Sequence, residues 1–287
     1  MKKLLIIILF LFSTYSFSQV YFTGTRQPLY DSGADSLIDR METAVGKTMT
    51  TAGKQMLSNM FTMYKDSLSI TYLGGAFDFI HFLDIGLEEA AKLNWANDTF
   101  NITNVDSVVF DTVGATGNGT DSYLNTNYNP STDGVNYTLN NASFGVYSKT
   151  DRAYSTSLIA MGSQLTRLHL LYASTSGRGY INSNGIRTIT TNNAIGYYSV
   201  TRPDTGSVIG YKNGTPSTTL TDYSVGIYNQ RFFILAREVN DAAGGFETVT
   251  VSFDYAGRSF DGTEQRKIYN IYCYWRDNKN SITFFNE

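Results

Sequence analysis

The stretch "ETVTVSFDYAG", residues 247–257, alternates apolar with polar residues. Val249, Val251, Phe253 and Tyr255 fall on one face of an extended chain, and Thr248, Thr250, Ser252 and Asp254 on the other. This period of two predicts a half-buried strand whose Asp254 is solvated. Comparable runs begin at about Val105: "NASFGVYS" (141–148), "TSLIAM" (156–161), "TRLHLLYA" (166–173), "GYYSV" (196–200), "SVIGYKNG" (207–214) and "RFFILAR" (231–237). Gly, Asn and Asp separate them, and Asn213-Gly214 is a hairpin turn because both residues tolerate positive φ. Many short strands with such punctuation predict a mainly-β sandwich or jelly roll rather than a parallel α/β sheet.

Upstream the period is helical. In residues 34–66, Leu37, Ile38, Met41 and Val45 recur at helix spacing, as do Met56, Leu57, Met60, Phe61 and Tyr64, with Gly46 and Gly53 weakening the middle. Five of the seven Met residues lie between Met41 and Met63, a stripe that suits adaptable core filling before partner docking. A second helix is predicted over Ala76–Leu93, with Phe79, Phe82, Leu83 and Leu87 on one side. Near the C-terminus, Asp261 and Glu264 have capping-box spacing, and Ile268, Ile271, Tyr272 and Trp275 form one apolar helix face.

Composition limits the partners. Of 287 residues 16% are charged, 14% are aromatic and 25 are Gly, and the formal charge is -3. No Lys/Arg cluster is present to displace counterions from nucleic acid. Met1-Lys2-Lys3, the apolar run Leu4–Phe12 and a Ser-rich stretch ending at Gln19 have the order of a secretory signal. The expected division is a signal peptide at 1–18, a helical N-terminal segment at 19–104, and a sandwich with a C-terminal helix at 105–287. Cys273 is the sole cysteine, so no intramolecular disulfide is expected.

Two resemblances follow. Residues 105–277 resemble the concanavalin A-like lectin/glucanase superfamily, also called laminin-G-like, through "GTDSYLNT" (119–126), "VIGYKNGTPSTT" (208–219) and "VSFDYAGRSFDGTEQRKIYNIY" (251–272). The segments Leu37–Met41, Ala90–Trp95 and Gly117–Ser131 resemble phage and prophage tail-fibre or appendage-like proteins with a helical leader. The first resemblance implies a jelly-roll sandwich. The second implies virion structure or attachment to a host surface, from which the secretory-type N-terminus departs.

Catalytic constellations are missing from the sequence. The Glu-x-Asp-x-x-Glu strand motif by which β-glucan-cleaving members of the superfamily resemble one another does not occur, and no Ser-His-Asp arrangement can be assigned. "GIYNQ" (226–230) echoes a lyase motif without its companion strands, so Tyr228 and Gln230 read as scaffold. His81 and His169 stand far apart without a third ligand. His81 reads as a packing residue; His169 shares a strand face with Arg167, opposite Leu168, Leu170 and Tyr172. No cofactor is expected, although Asp121, Asp133, Asn125, Asn127 and Asn129 supply oxygen enough for a weak calcium site.

Sugar binding suits the composition, because exposed Tyr rings stack on pyranose faces while Asn and Arg bind hydroxyls. The candidate carbohydrate-binding residues are Asn127, Tyr128, His169, Arg178, Tyr180 and Asn182, with Tyr197 and Tyr198 beside them. The leading reading is a non-catalytic, exported or virion-surface adhesion module whose partner is a glycan or a host surface. A second reading is a structural appendage subunit that binds virion proteins and forms homo-oligomers through its Met-rich helices. A polysaccharide hydrolase or lyase ranks third.

Overall fold

Helices cover one outer face of the sandwich, and this layering explains most of what periodicity conceals. A computed structural model describes residues 30–151, 159–173 and 176–286. The proposed signal segment lies outside the described residues. Ser32–Val45 (α1) and Thr51–Leu68 (α2) are the two helical pieces expected, and Gly46 closes the first at φ 67°. Glu88–Ala91 (α3) and Pro130–Asp133 (α4) are single turns. Gly262–Asn278 (α5) begins at the anticipated capping box: Glu264 N donates to the Asp261 carboxylate and Asp261 N to the Glu264 carboxylate.

Among the described residues one sheet has seven strands. Its order is Arg187–Thr190 (β11), Ser176–Tyr180 (β10), Arg167–Ala173 (β9), Ile159–Gly162 (β8), Phe233–Ile234 (β15), Tyr123–Asn125 (β6) and Thr103–Val105 (β3). The other sheet runs Thr215–Thr221 (β14), Ser207–Lys212 (β13), Gly196–Arg202 (β12), Ala142–Ser148 (β7), Thr250–Gly257 (β18), Ala115–Thr116 (β5) and Val109–Phe110 (β4), with Phe77–Phe82 (β2) also paired to β18. Two small ribbons join Thr48–Met49 (β1) to Phe284–Phe285 (β19) and Arg237–Val239 (β16) to Ala242–Gly244 (β17). The β13–β14 hairpin turns at Asn213-Gly214, with φ of 50° and 69°.

Two apolar layers result. Between the sheets lie Leu124, Phe144, Leu168, Ile189, Val200 and Phe232. Between the larger sheet and the helices lie Met41, Met60, Phe82, Trp95, Tyr255 and Trp275. Met41, Met49, Met56 and Met60 are buried in this second layer, with Met63 packed at its margin, so the Met stripe fills a core.

Three expectations about strands require correction. Residues 77–82, expected within a helix, are a strand buried on both faces. Its two polar residues, Asp78 and His81, stand three apart, a spacing that suits a helix face and marks no period of two. β18 is likewise buried on both faces rather than one. A bulge between Val251 and Phe253 reverses its facing, so Val249 and Val251 enter the sandwich core while Phe253 and Tyr255 enter the helix layer. Asp254 is therefore fully buried rather than solvated. Its Oδ1 lies 2.8 Å from His81 Nδ1, and His81 Nε2 lies 3.1 Å from Phe100 O. Burial raises the Asp254 carboxyl above its ordinary range, while the neighbouring His81 draws it back.

The strand expected at 231–237 is interrupted. Leu235 adopts φ 66°, ends β15 and enters the core, and the chain restarts as β16 at Arg237. A left-handed conformation at a buried, non-glycine residue is strained.

Candidate functional site

β9 and β10 bring three of the expected residues together. Leu168 and Leu170 point into the sandwich core, so Arg167 and His169 point to the opposite, outer face of the seven-stranded sheet. Across the ladder Arg178 pairs with His169 and Tyr180 with Arg167. The Arg167 guanidinium carbon sits 3.9 Å from the centroid of the Tyr180 ring, and Arg167 Nε donates to His169 Nε2 at 3.1 Å. Arg167 Nη1 also donates to Gln164 O, which locks the guanidinium orientation. His169 and Tyr180 are nearly covered, whereas Arg167 and Arg178 remain half-buried at the surface.

Beside them runs the β16–β17 hairpin. Its β16 strand makes a parallel bridge from Glu238 to Ser163. Arg237 is half-buried, and Glu238 accepts the backbone N–H of Arg231. Burial holds the His169 imidazole down to about 3, and the guanidinium groups of Arg167, Arg237 and Arg178 push it the same way. The ring is therefore neutral across the physiological range. Arg237 Nε, Ser163 Oγ and Gln164 Oε1 are buried atoms without a hydrogen-bond partner among the described residues.

The remaining candidates lie elsewhere. Tyr128 is fully buried: its hydroxyl donates to Asp78 Oδ2 at 2.7 Å and its ring packs on Phe79, Phe100 and Phe232. It cannot stack on a sugar, and the correction follows from Asp78. That carboxylate collects the Tyr128 hydroxyl, the Asn136 side chain and the backbone N–H groups of Val135, Asn136 and Tyr137, drawing the 128–137 segment onto β2. Asn182 is also fully buried, accepting from the Tyr137 hydroxyl at 2.8 Å and donating to Leu139 O and Thr138 O.

Asn127 is exposed at the end of β6 and donates to Asn101 O and Thr103 Oγ1. β6 stands three strand spacings from β9, about 14 Å. Tyr197 and Tyr198 are buried, the first hydroxyl bonded to Tyr255 and Gln265, the second to Thr191 and Asn193. Tyr180 keeps its place on the site, yet its ring is covered by Arg167 instead of lying open for a pyranose.

The oxygen-rich loop satisfies itself. Asp121 accepts from Asn118 Nδ2, Asp133 from the backbone N–H of Asn129, and Asn129 caps α4 through Ser131 N. Among the described residues no group of three or more His, Cys, Asp or Glu side chains is placed to hold a metal ion. A cleft at Glu88, Lys92, Thr103 and Asn104 is also internally paired, with Asn104 Nδ2 donating to Glu88 at 2.9 Å and Lys92 to Glu89 at 3.0 Å.

Arg237 was not foreseeable as a neighbour of this face. Arg237 ends a run that reads as one strand, and only the reversal at Leu235 detaches it. Arg167 carried a usable signal, since it shares the strand parity of His169.

No protein-family model matches the chain, and no curated protein matches it. Solved structures share its architecture. A mutant of Trypanosoma rangeli sialidase displaying trans-sialidase activity superimposes with a TM-score of 0.52 at 12% identity, over 78% of this chain and 39% of that one. The botulinum neurotoxin serotype D binding domain gives 0.47 at 10% identity, over 69% and 52%. A botulinum neurotoxin type C structure, described by cell entry dependent on interaction with two ganglioside molecules, gives 0.49 at 11%, over 69% and 51%. The chain thus spans about half the length of the two neurotoxin structures and 39% of the sialidase. At 12% identity the likeness to the sialidase is one of fold alone, and the fold is a mainly-β sandwich of antiparallel sheets preceded by a small helical segment.

Proposed function

We propose that the outer face of β9 and β10 is a non-catalytic carbohydrate-binding surface, and that the protein is an adhesion module exported from a cell or carried on a virion. The observation that carries this reading is the juxtaposition of Arg167, His169, Arg178 and Tyr180 on one sheet face. A rigid sheet fixes the spacing of these side chains, and the Arg167–Tyr180 stack fixes the direction of its N–H fork, so little conformational entropy remains to be lost on binding. Guanidinium groups donate to hydroxyl and ring oxygens in a planar fork, which suits a polyhydroxylated ligand. Sugar recognition here runs through arginine donors beside a covered tyrosine.

Calorimetric titration of purified protein against the strongest probe from a glycan array tests the reading. Saturable binding is expected, weakened at least tenfold by Arg178→Ala, about 1.4 kcal/mol, with the melting temperature unchanged. No saturable signal from any glycan at millimolar concentration, or an Arg178→Ala protein that binds like the parent, would refute it.

A further inference from the structure

We infer that the glycan taken by this face carries an anionic group, a carboxylate or a sulfate ester, held among Arg167, Arg178 and Arg237. The inference rests on the carbohydrate-binding reading above and names the ligand class for the same face.

Its basis is the clustering of like charge. Arg167 and Arg178 come from adjacent strands, and Arg237 comes from the hairpin beside them. All three act electrostatically on the single imidazole of His169. In a chain of formal charge -3, such a concentration of guanidinium groups is local rather than a general property of the surface. The groups are half-buried, where charge is screened less than in water, so their attraction for an anion seated among them is stronger than on an open surface.

The neighbouring ring adds no charge of its own. His169 is neutral and accepts from Arg167 Nε, which points the guanidinium instead of competing with it for an anion. Glu238, the carboxylate next along β16, follows Arg237 on a strand whose successive side chains point to opposite faces, and its oxygen is engaged by the backbone of Arg231. An anionic sugar provides charged oxygens for the guanidinium groups of Arg167, Arg178 and Arg237, each of which is partly exposed. Planar carboxylate and tetrahedral sulfate both present a pair of charged oxygens that a guanidinium fork grips with two hydrogen bonds.

The experiment is a panel of immobilised neutral galactose- and glucose-based oligosaccharides beside their uronic-acid, sialylated and sulfate-ester counterparts, followed by titration of the best pair in 0.05 and 0.5 M NaCl. Acidic members are expected to bind at least tenfold more tightly than their neutral partners and to lose most of that margin at high salt. Arg237→Gln and Arg178→Gln, each checked for an unchanged melting temperature, are expected to reduce acidic binding at least tenfold while sparing residual neutral binding. The carboxylate and sulfate arms identify which anion is read. Equal or tighter binding of neutral members, or a margin insensitive to salt and to both substitutions, overturns the anionic assignment and leaves the carbohydrate site standing. Silence across the whole panel overturns both.

Discussion

His169 links the candidate site to the stability of the fold. Its folded imidazole is held down to about 3 against an ordinary 6.5, chiefly by burial. Between those values the unfolded chain binds a proton that the native protein excludes, so stability falls as pH drops below 6.5. The slope is about 1.4 kcal/mol per pH unit from this residue alone. Denaturant melts at pH 7, 6, 5 and 4 should therefore show a shallower acid loss for His169→Gln than for the parent, and parallel slopes would count against a neutral buried ring. At this scale the sequence was legible for side chains that alternate on a strand: His169, Arg178 and Tyr180 meet as their parity requires. It misled for Tyr128 and Asn182, because composition cannot distinguish an exposed tyrosine from one whose hydroxyl is drawn inward by a distant carboxylate such as Asp78.

Elements with local signals were the easiest to read. The capping box of α5 is written in four consecutive residues, and both of its hydrogen bonds form. Asp261→Ala should cost about 1 kcal/mol, measurable as a shift in the urea midpoint at constant slope. A drop no larger than for an exposed mid-helix alanine would show that the tertiary contacts of α5 suffice. Elements buried on both faces were the hardest. β2 lies in the sheet with its side chains divided between the two apolar layers, so Phe79 faces one and Phe82 the other, and no polar stripe marks its period. β18 shows the opposite failure, since its alternation is real and its single bulge exchanges the faces halfway. One inserted residue outweighs the pattern of the whole strand.

At the scale of the molecule, the helices form a third layer that gathers α1 and α2 with α5, elements far apart in sequence. α1 and α2 pack with α5 over the larger sheet, and Arg40 on α1 reaches Asn94 O and Asn97 O at 2.9 Å each. Trp275 on α5 donates to the buried Asp84 at 2.7 Å, just beyond β2. Among the described residues β2 pairs only with β18, whose register places Phe82 opposite Phe253 and Ile80 opposite Tyr255. This pairing has a kinetic consequence. Some 170 residues separate Phe82 from Phe253, and closure of a loop that long must precede any return from the contact. β2 emerges early in synthesis and waits for most of the chain before its partner exists, an apolar strand with an unsatisfied edge. Refolding should accordingly be slow for a protein of this size, and pulsed hydrogen exchange should show the amides of residues 77–82 gaining protection in the same late phase as those of 250–257. Early, independent protection of residues 77–82 would contradict this order of assembly. The strand that joins the helical layer to the sandwich is also the step at which a nascent chain is most exposed to misassembly.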